Sequence, residues 1–276
     1  MENLPLWNRE ALLESSLFEP LHGVLQRYGK NEFPNLSDYN TLLAKQPLIV
    51  THSGRPIKFV EQGVGKLGFE AQYEPRCYLN GEVQTRENNL HDLFNALAWL
   101  VFPQSKASIN ARHYEVLTNS STPLTSQRGS VRDMATLFDE SGVIVPYADT
   151  ELAALLRGFK WKELFFQNRE KVISTMGFYI FGHGLYEKAI SPYIGFTGQG
   201  LLLPVAAEFF SWPLPQRLAH LDVIVAAYLS EPTNCQDTYG LNPVPLLGIP
   251  GWSKDNEQLS FYDNQKYFRT GRAKSF

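Results

Sequence analysis

Between Asn88 and Phe102 the chain places Leu90, Leu93, Phe94, Leu97, Leu100 and Val101 at three- and four-residue intervals, the period of one helix face. Pro103, which cannot sit inside a helix without breaking it, marks the expected end. So continuous an apolar stripe has to lie against a core, and the chain has the material for one. Of its 276 residues 43% are apolar and only 19% charged, outside the composition of disordered chains. That length is near the upper limit for a single core. With no internal repeat, low-complexity tract or long Ser/Gly linker, the expectation is a single compact domain over 1–276, the alternative being a partition into 1–86, 87–241 and 242–276.

The other periodicities predict an α+β fold: a predominantly helical body with small antiparallel β-hairpins and an extended C-terminal arm. Trp7 to Tyr28 has helical spacing at Leu12, Leu13, Leu17, Leu21 and Leu25, with Pro20 as an interruption or a start. Leu48 to Thr51 and Ile57 to Glu61 are strand-like around the turn residues His52-Ser53-Gly54-Arg55. Phe69 to Leu79 predicts a strand returning through Asn80-Gly81 into Glu82 to Arg86. Thr136 to Tyr147 predicts a further hairpin turning at Asp139-Glu140-Ser141-Gly142. Asp149 or Thr150 caps a helix through Arg157, and Trp161 to Ile190, Leu201 to Trp212 and Gln216 to Leu229 read as helical. From Asn242 onward, Pro243, Pro245, Pro250 and Gly251 forbid long elements, leaving an arm anchored by Trp252, Phe261, Tyr262, Tyr267 and Phe268.

A net charge of −3 gives no counterion-release argument, so no nucleic-acid partner is indicated. The first ten residues lack the basic start and apolar block of a signal peptide. Cys77 and Cys235 lack CxxC spacing and are expected as free thiols in a reducing, cytoplasmic setting. No apolar run approaches the roughly 20 residues of a membrane span.

Chemistry concentrates in two places. In the first, Asn88, His91 and Asn95 form a polar stripe at helical spacing beside Asp92, groups able to bind a metal, move a proton or fix a substrate; polar packing and capping is the competing reading. In the second, Gly182-His183-Gly184 precedes Glu187, which shares a helix face with His183 if the glycines permit a helix. His113 is a candidate for the same polar cleft. Arg132 and Asp133, near Asp139 and Glu140, fit either a buried ion pair or a carboxylate site. His22, His52 and His220 have no ligand-spaced neighbours. No GxGxxG is read as opening a βαβ unit, and GxxxxGK[ST], HExxH and GxSxG are missing; the cluster Gly63-Val64-Gly65-Lys66-Leu67-Gly68 superficially resembles a phosphate loop, but no clear helix is expected to follow it.

The stretch from Asn89 to Lys106 resembles the NxHDLFNALxWLxFPxxK pattern of a bacterial family known as domain of unknown function 3025. The resemblance extends through Arg132-Asp133, Thr136 to Glu140, Gly182-His183, Leu247 to Trp252 and Phe261-Tyr262-Asp263. It brings no activity, substrate or cofactor with it. The residues themselves suggest a hydrolase acting on a small polar substrate, using His/carboxylate chemistry or a divalent metal ion held by His91, His183 and Glu187. Catalysis would fall to His91, Asp92, His183 and Glu187, with Asn88, Asn95, His113, Arg132 and Asp133 binding the ligand. The alternatives are a non-catalytic protein binding a small molecule in an aromatic-walled pocket, and a protein-interaction module using the C-terminal aromatics.

Overall fold

The computed structural model describes residues 7–63, 65, 68–118, 126–235 and 238–271; for 126–133, 232 and 235 only the backbone is described. Three short helices open the chain, α1 (Arg9–Glu14), α2 (His22–Tyr28) and α3 (Leu36–Ala44), with a 3-10 segment at Ser16–Leu21. There follow β1 (Lys58–Glu61), α4 (Tyr73–Asn80), β2 (Glu82–Thr85), α5 (Leu90–Val101), α6 (Pro103–Thr118) and α7 (Ser126–Ser141). The second half contains β3 (Gly142–Tyr147), α8 (Thr150–Arg157), α9 (Arg169–Thr175), β4 (Tyr179–Ile180), α10 (His183–Ala189), β5 (Thr197–Pro204), α11 (Leu214–Ser230) and β6 (Asn242–Pro245). The α+β class holds. Among the described residues no helix is long and apolar enough to cross a membrane.

Three local expectations are overturned, each for a physical reason, and a fourth element gains a second role. Phe69 to Leu79 is not a strand: a 3-10 turn leads into α4, and Asn80-Gly81 ends that helix instead of turning a hairpin. Gly81 supplies positive φ (71°), which a helix C-terminus demands as readily as a hairpin does. The strands on either side of α4 therefore pair parallel, β1 with β2, because a crossover helix joins them. Likewise α7 runs through Asp139 and Glu140 to Ser141, so the supposed hairpin turn is the last turn of a helix. Leu201 to Trp212 is β5 followed by a 3-10 turn: a short, doubly buried apolar run has no period that separates strand from helix. Finally, Pro103 does not only stop α5; it opens α6, where its missing N–H is harmless. Buried Asp222 on α11 caps that helix, accepting from the Gln104 and Ser105 amides at 3.0 and 2.8 Å.

The second sheet has the order β4-β3-β5-β6, with β3 and β5 parallel and the outer pairings antiparallel. Every residue of β3 is buried, and successive side chains go to opposite faces. Val143, Val145 and Leu202 join a core with α5 and α10, while Ile144, Leu201 and Leu203 join another with Ile109, Phe138 and Leu221 of α6, α7 and α11. Beyond β6, Tyr262, Tyr267 and Phe268 are buried and Trp252 and Phe261 half-buried; the Tyr267 hydroxyl donates to the Phe196 carbonyl at 2.7 Å.

Candidate metal centre

Asn89 caps α5 by accepting from the Asp92 amide at 3.0 Å, which places His91 in the first turn. Asn88, at φ 52°, is exposed and lies before the helix, so it is not part of the expected stripe: the cap turns the chain away from the helical path. His183 opens α10. One turn further along each helix, Phe94 and Tyr186 stack on one another at 5.6 Å and both on Phe18, at 5.8 and 5.7 Å. This three-ring cluster fixes α5 against α10 in the register that brings the two histidines together. Their Nε2 atoms are 3.0 Å apart.

The glycines beside His183 admit a third element. A Cβ at Gly182 would come within 2.5 Å of the Ser141 amide, and one at Gly184 within 2.4 Å of Glu140 Oε2. The C-terminus of α7 thus passes over the start of α10, and Glu140 Oε1 reaches 3.6 Å from His183 Nε2 and 3.7 Å from His91 Nε2. The point equidistant from these three atoms lies about 2.0 Å from each, the length of zinc bonds to imidazole nitrogen and carboxylate oxygen. Among the described residues, this is the group of histidine, cysteine and carboxylate donors close enough to share an ion.

Each histidine also has a carboxylate at its other nitrogen. Glu187 Oε2 is 3.3 Å from His91 Nδ1, and Asp139 Oδ2 is 3.7 Å from His183 Nδ1. Asp139 is held by Lys106, whose Nζ is 2.5 Å from Oδ1 and which is itself only 3% exposed. The Glu187 carboxylate favours a proton on His91 Nδ1 and leaves that ring's Nε2 lone pair free, whereas His183 Nδ1 is buried with no hydrogen-bond partner among the described residues. At 3.0 Å the two Nε2 atoms are close enough either to share a proton as a hydrogen bond or to turn two lone pairs on one cation.

Burial drives His183 down to about 3, so its imidazole is neutral and ready to ligate across the physiological range. Burial also raises Glu140, whose charge a bound cation would stabilise. For Asp139 burial acts upward, but the Lys106 ammonium prevails, and the carboxyl is held below its usual range.

The centre opens on a cavity of about 380 Å³. Asp92 lines it, but Arg86 occupies its carboxylate through Nε and Nη2 at 2.9 and 2.8 Å and the backbone amide at 2.7 Å. Asn95 Nδ2 donates to the Tyr73 hydroxyl at 2.8 Å, and Oδ1 is buried without a partner. His113 also lines it, while Glu187 is not among the lining residues and stands at His91 Nδ1. The side chains of Arg132 and Asp133 and that of Cys235 lie outside the described residues, as do Val64, Lys66 and Leu67 of the glycine loop; Cys77 is buried, with its thiol pushed up by burial. Most of the lining side chains are polar or charged, with Tyr73 and Leu117 as exceptions; a second cavity of about 470 Å³, with Phe159, Trp161 and Tyr267 among its lining, lies elsewhere.

A family model described as a protein of unknown function (DUF3025) matches residues 57–272, a span that includes every side chain of this centre. The chain belongs to the DUF3025 family. Comparison with curated proteins and with solved structures finds no match. The family segment also includes four residues of the site that sequence reasoning did not assign to it: Glu140, Asp139, Lys106 and Thr136. The available signal was the spacing of Thr136, Asp139 and Glu140 at i, i+3 and i+4, which puts them on one face of a helix but not of a strand.

Proposed function

We propose that this protein binds one zinc-like divalent ion through His91, His183 and Glu140 and uses it to hydrolyse a small polar substrate in the adjoining cavity. The observation that carries this reading is the triangle of two Nε2 atoms and one carboxylate oxygen, with sides of 3.0, 3.6 and 3.7 Å. Two histidines and one carboxylate leave a coordination position for water, and zinc lowers the pKa of a bound water to about 7. Glu187 supports the reading as the partner of His91 Nδ1, orienting that ligand, and Asp139 places a negative charge 3.7 Å from His183 Nδ1. In this scheme Glu187 serves His91 at Nδ1, and Asp92 ties α5 to β2 through Arg86. An ionised water needs no separate carboxylate base.

The test is metal analysis of the purified protein, followed by zinc titration of the chelated form. One equivalent of zinc is expected, with affinity falling by at least about a hundredfold in His91→Ala and His183→Ala and by about tenfold in Glu187→Gln. Wild-type protein that binds zinc no better than the double histidine variant overturns the proposal. Iron in place of zinc would redirect the chemistry to oxygen activation, which the same donor set also supports. The second cavity, lined by Phe159, Trp161 and Tyr267, favours a small-ligand reading for that face of the molecule.

A further inference from the structure

In the same cavity as the candidate metal centre, three side chains from three helices form a hydrogen-bonded line. Glu74 of α4 meets His113 of α6, with Oε1 2.9 Å from Nδ1. Glu74 is fixed from its other oxygen by Asn110, whose Nδ2 donates at 2.6 Å. The opposite nitrogen of His113, Nε2, lies 3.2 Å from Thr136 Oγ1 on α7. His113 is buried while Thr136 is exposed, and all three line the cavity. Thr136 also stands one turn before Glu140 on the same helix, so their Cβ atoms are about 5–6 Å apart. A structural role alone would need no exposed hydroxyl at the end of a carboxylate–imidazole pair.

We propose that Glu74, His113 and Thr136 form a proton relay that protonates the leaving group of an ester or amide hydrolysed at the metal centre. The proposal rests on the metal reading for its attacking oxygen. In the balanced step, metal-bound water gives one proton to solvent and its oxygen forms a bond to the acyl carbon. The bond to the leaving atom breaks, and that atom takes its electron pair and the Thr136 hydroxyl proton. Thr136 is reprotonated from His113 Nε2, and His113 recovers a proton from solvent before the next turnover. The sum is one water consumed and one acid and one alcohol or amine released. The charged groups around His113 favour this direction. Burial opposes the imidazolium, but the Glu74 hydrogen bond and charge, with Asp139 of α7, outweigh both burial and Lys106 of its own helix, and His113 is raised above the usual histidine value.

The relay is tested by leaving-group dependence. Zinc-loaded wild type, Thr136→Val, Thr136→Ser and His113→Gln are compared on p-nitrophenyl acetate, whose leaving group departs as the anion, and on phenyl acetate and acetanilide, whose leaving groups need more help. Thr136→Val and His113→Gln are expected to slow the poorer leaving groups about a hundredfold more than the p-nitrophenyl ester. Thr136→Ser restores the ratio, and His113→Gln removes the alkaline limb of the pH–rate profile, which a packing role would not move. Equal slowing of all three substrates overturns the relay, as does an unchanged ratio or the absence of hydrolysis by wild type. Zinc content is measured on the same samples: a leaving-group effect in protein that retains no metal sinks the metal reading and keeps the relay, whereas bound zinc with an unchanged ratio does the reverse.

Discussion

Removing the Lys106 ammonium without removing its volume, as in Lys106→Met, strands the Asp139 carboxylate. The pair is separated by 2.5 Å and the Lys106 and Asp139 side chains are 4% and 15% exposed, so water has little access to either charge. Losing one partner of so buried a pair costs about 3–5 kcal/mol, most of it the desolvation of the charge left behind. Removing both charges, in Lys106→Met with Asp139→Asn, relieves that penalty, and a double-mutant cycle from urea unfolding is expected to give a coupling of about 2 kcal/mol or more. The same substitutions loosen the carboxylate facing His183 Nδ1, so zinc affinity falls about 10–100-fold in both single variants. Lys106→Met within 1 kcal/mol of wild type, or a double variant destabilised by the sum of the singles, would refute the claim that this pair is buried and coupled.

Phe94→Ala should cost about 3–5 kcal/mol by calorimetry and weaken zinc binding as well, because the ring that fills the core also sets the register of α5 on α10. Gly81→Ala combines φ 71° with a Cβ placed 2.0 Å from the Pro56 carbonyl oxygen, so a loss of about 2 kcal/mol or more is expected in denaturant unfolding. Glu82 is held below its usual range by hydrogen bonds from Lys58 and Arg76. Its depressed value means stability that is present above the unfolded pKa of about 4.3 and lost as pH falls through the folded value. Glu82→Gln should therefore cost about 1 kcal/mol at pH 7, kept small by the exposure of Lys58, and nothing at low pH in a pH series of melts.

The two histidines of the centre were legible because each is marked locally, His91 by a helix with an unambiguous apolar face and His183 by flanking glycines. That they meet was not legible, since it depends on Phe18, Phe94 and Tyr186 stacking across 168 residues of chain. The sequence placed Glu140 in a turn near a possible carboxylate site but did not join it to the histidines, because Asp-Glu-Ser-Gly has the composition of a turn and equally suits the last turn of a helix followed by a strand. Gly81 misled in the same manner: positive φ ends helices and turns hairpins alike. The parallel pairing of β1 with β2 and of β3 with β5 follows from intervening helices, of which α4 was taken for a strand. Lys106 stood in plain view within the family pattern, but its role depends on Asp139, whose direction was fixed only by α7.

X-ray absorption on the zinc-loaded protein tests the central claim most directly. Two imidazole nitrogens and a carboxylate oxygen at about 2.0 Å, with a fourth light-atom ligand, are the expected shell, losing one imidazole in His91→Ala and one in His183→Ala. A zinc shell unchanged by either substitution would contradict it.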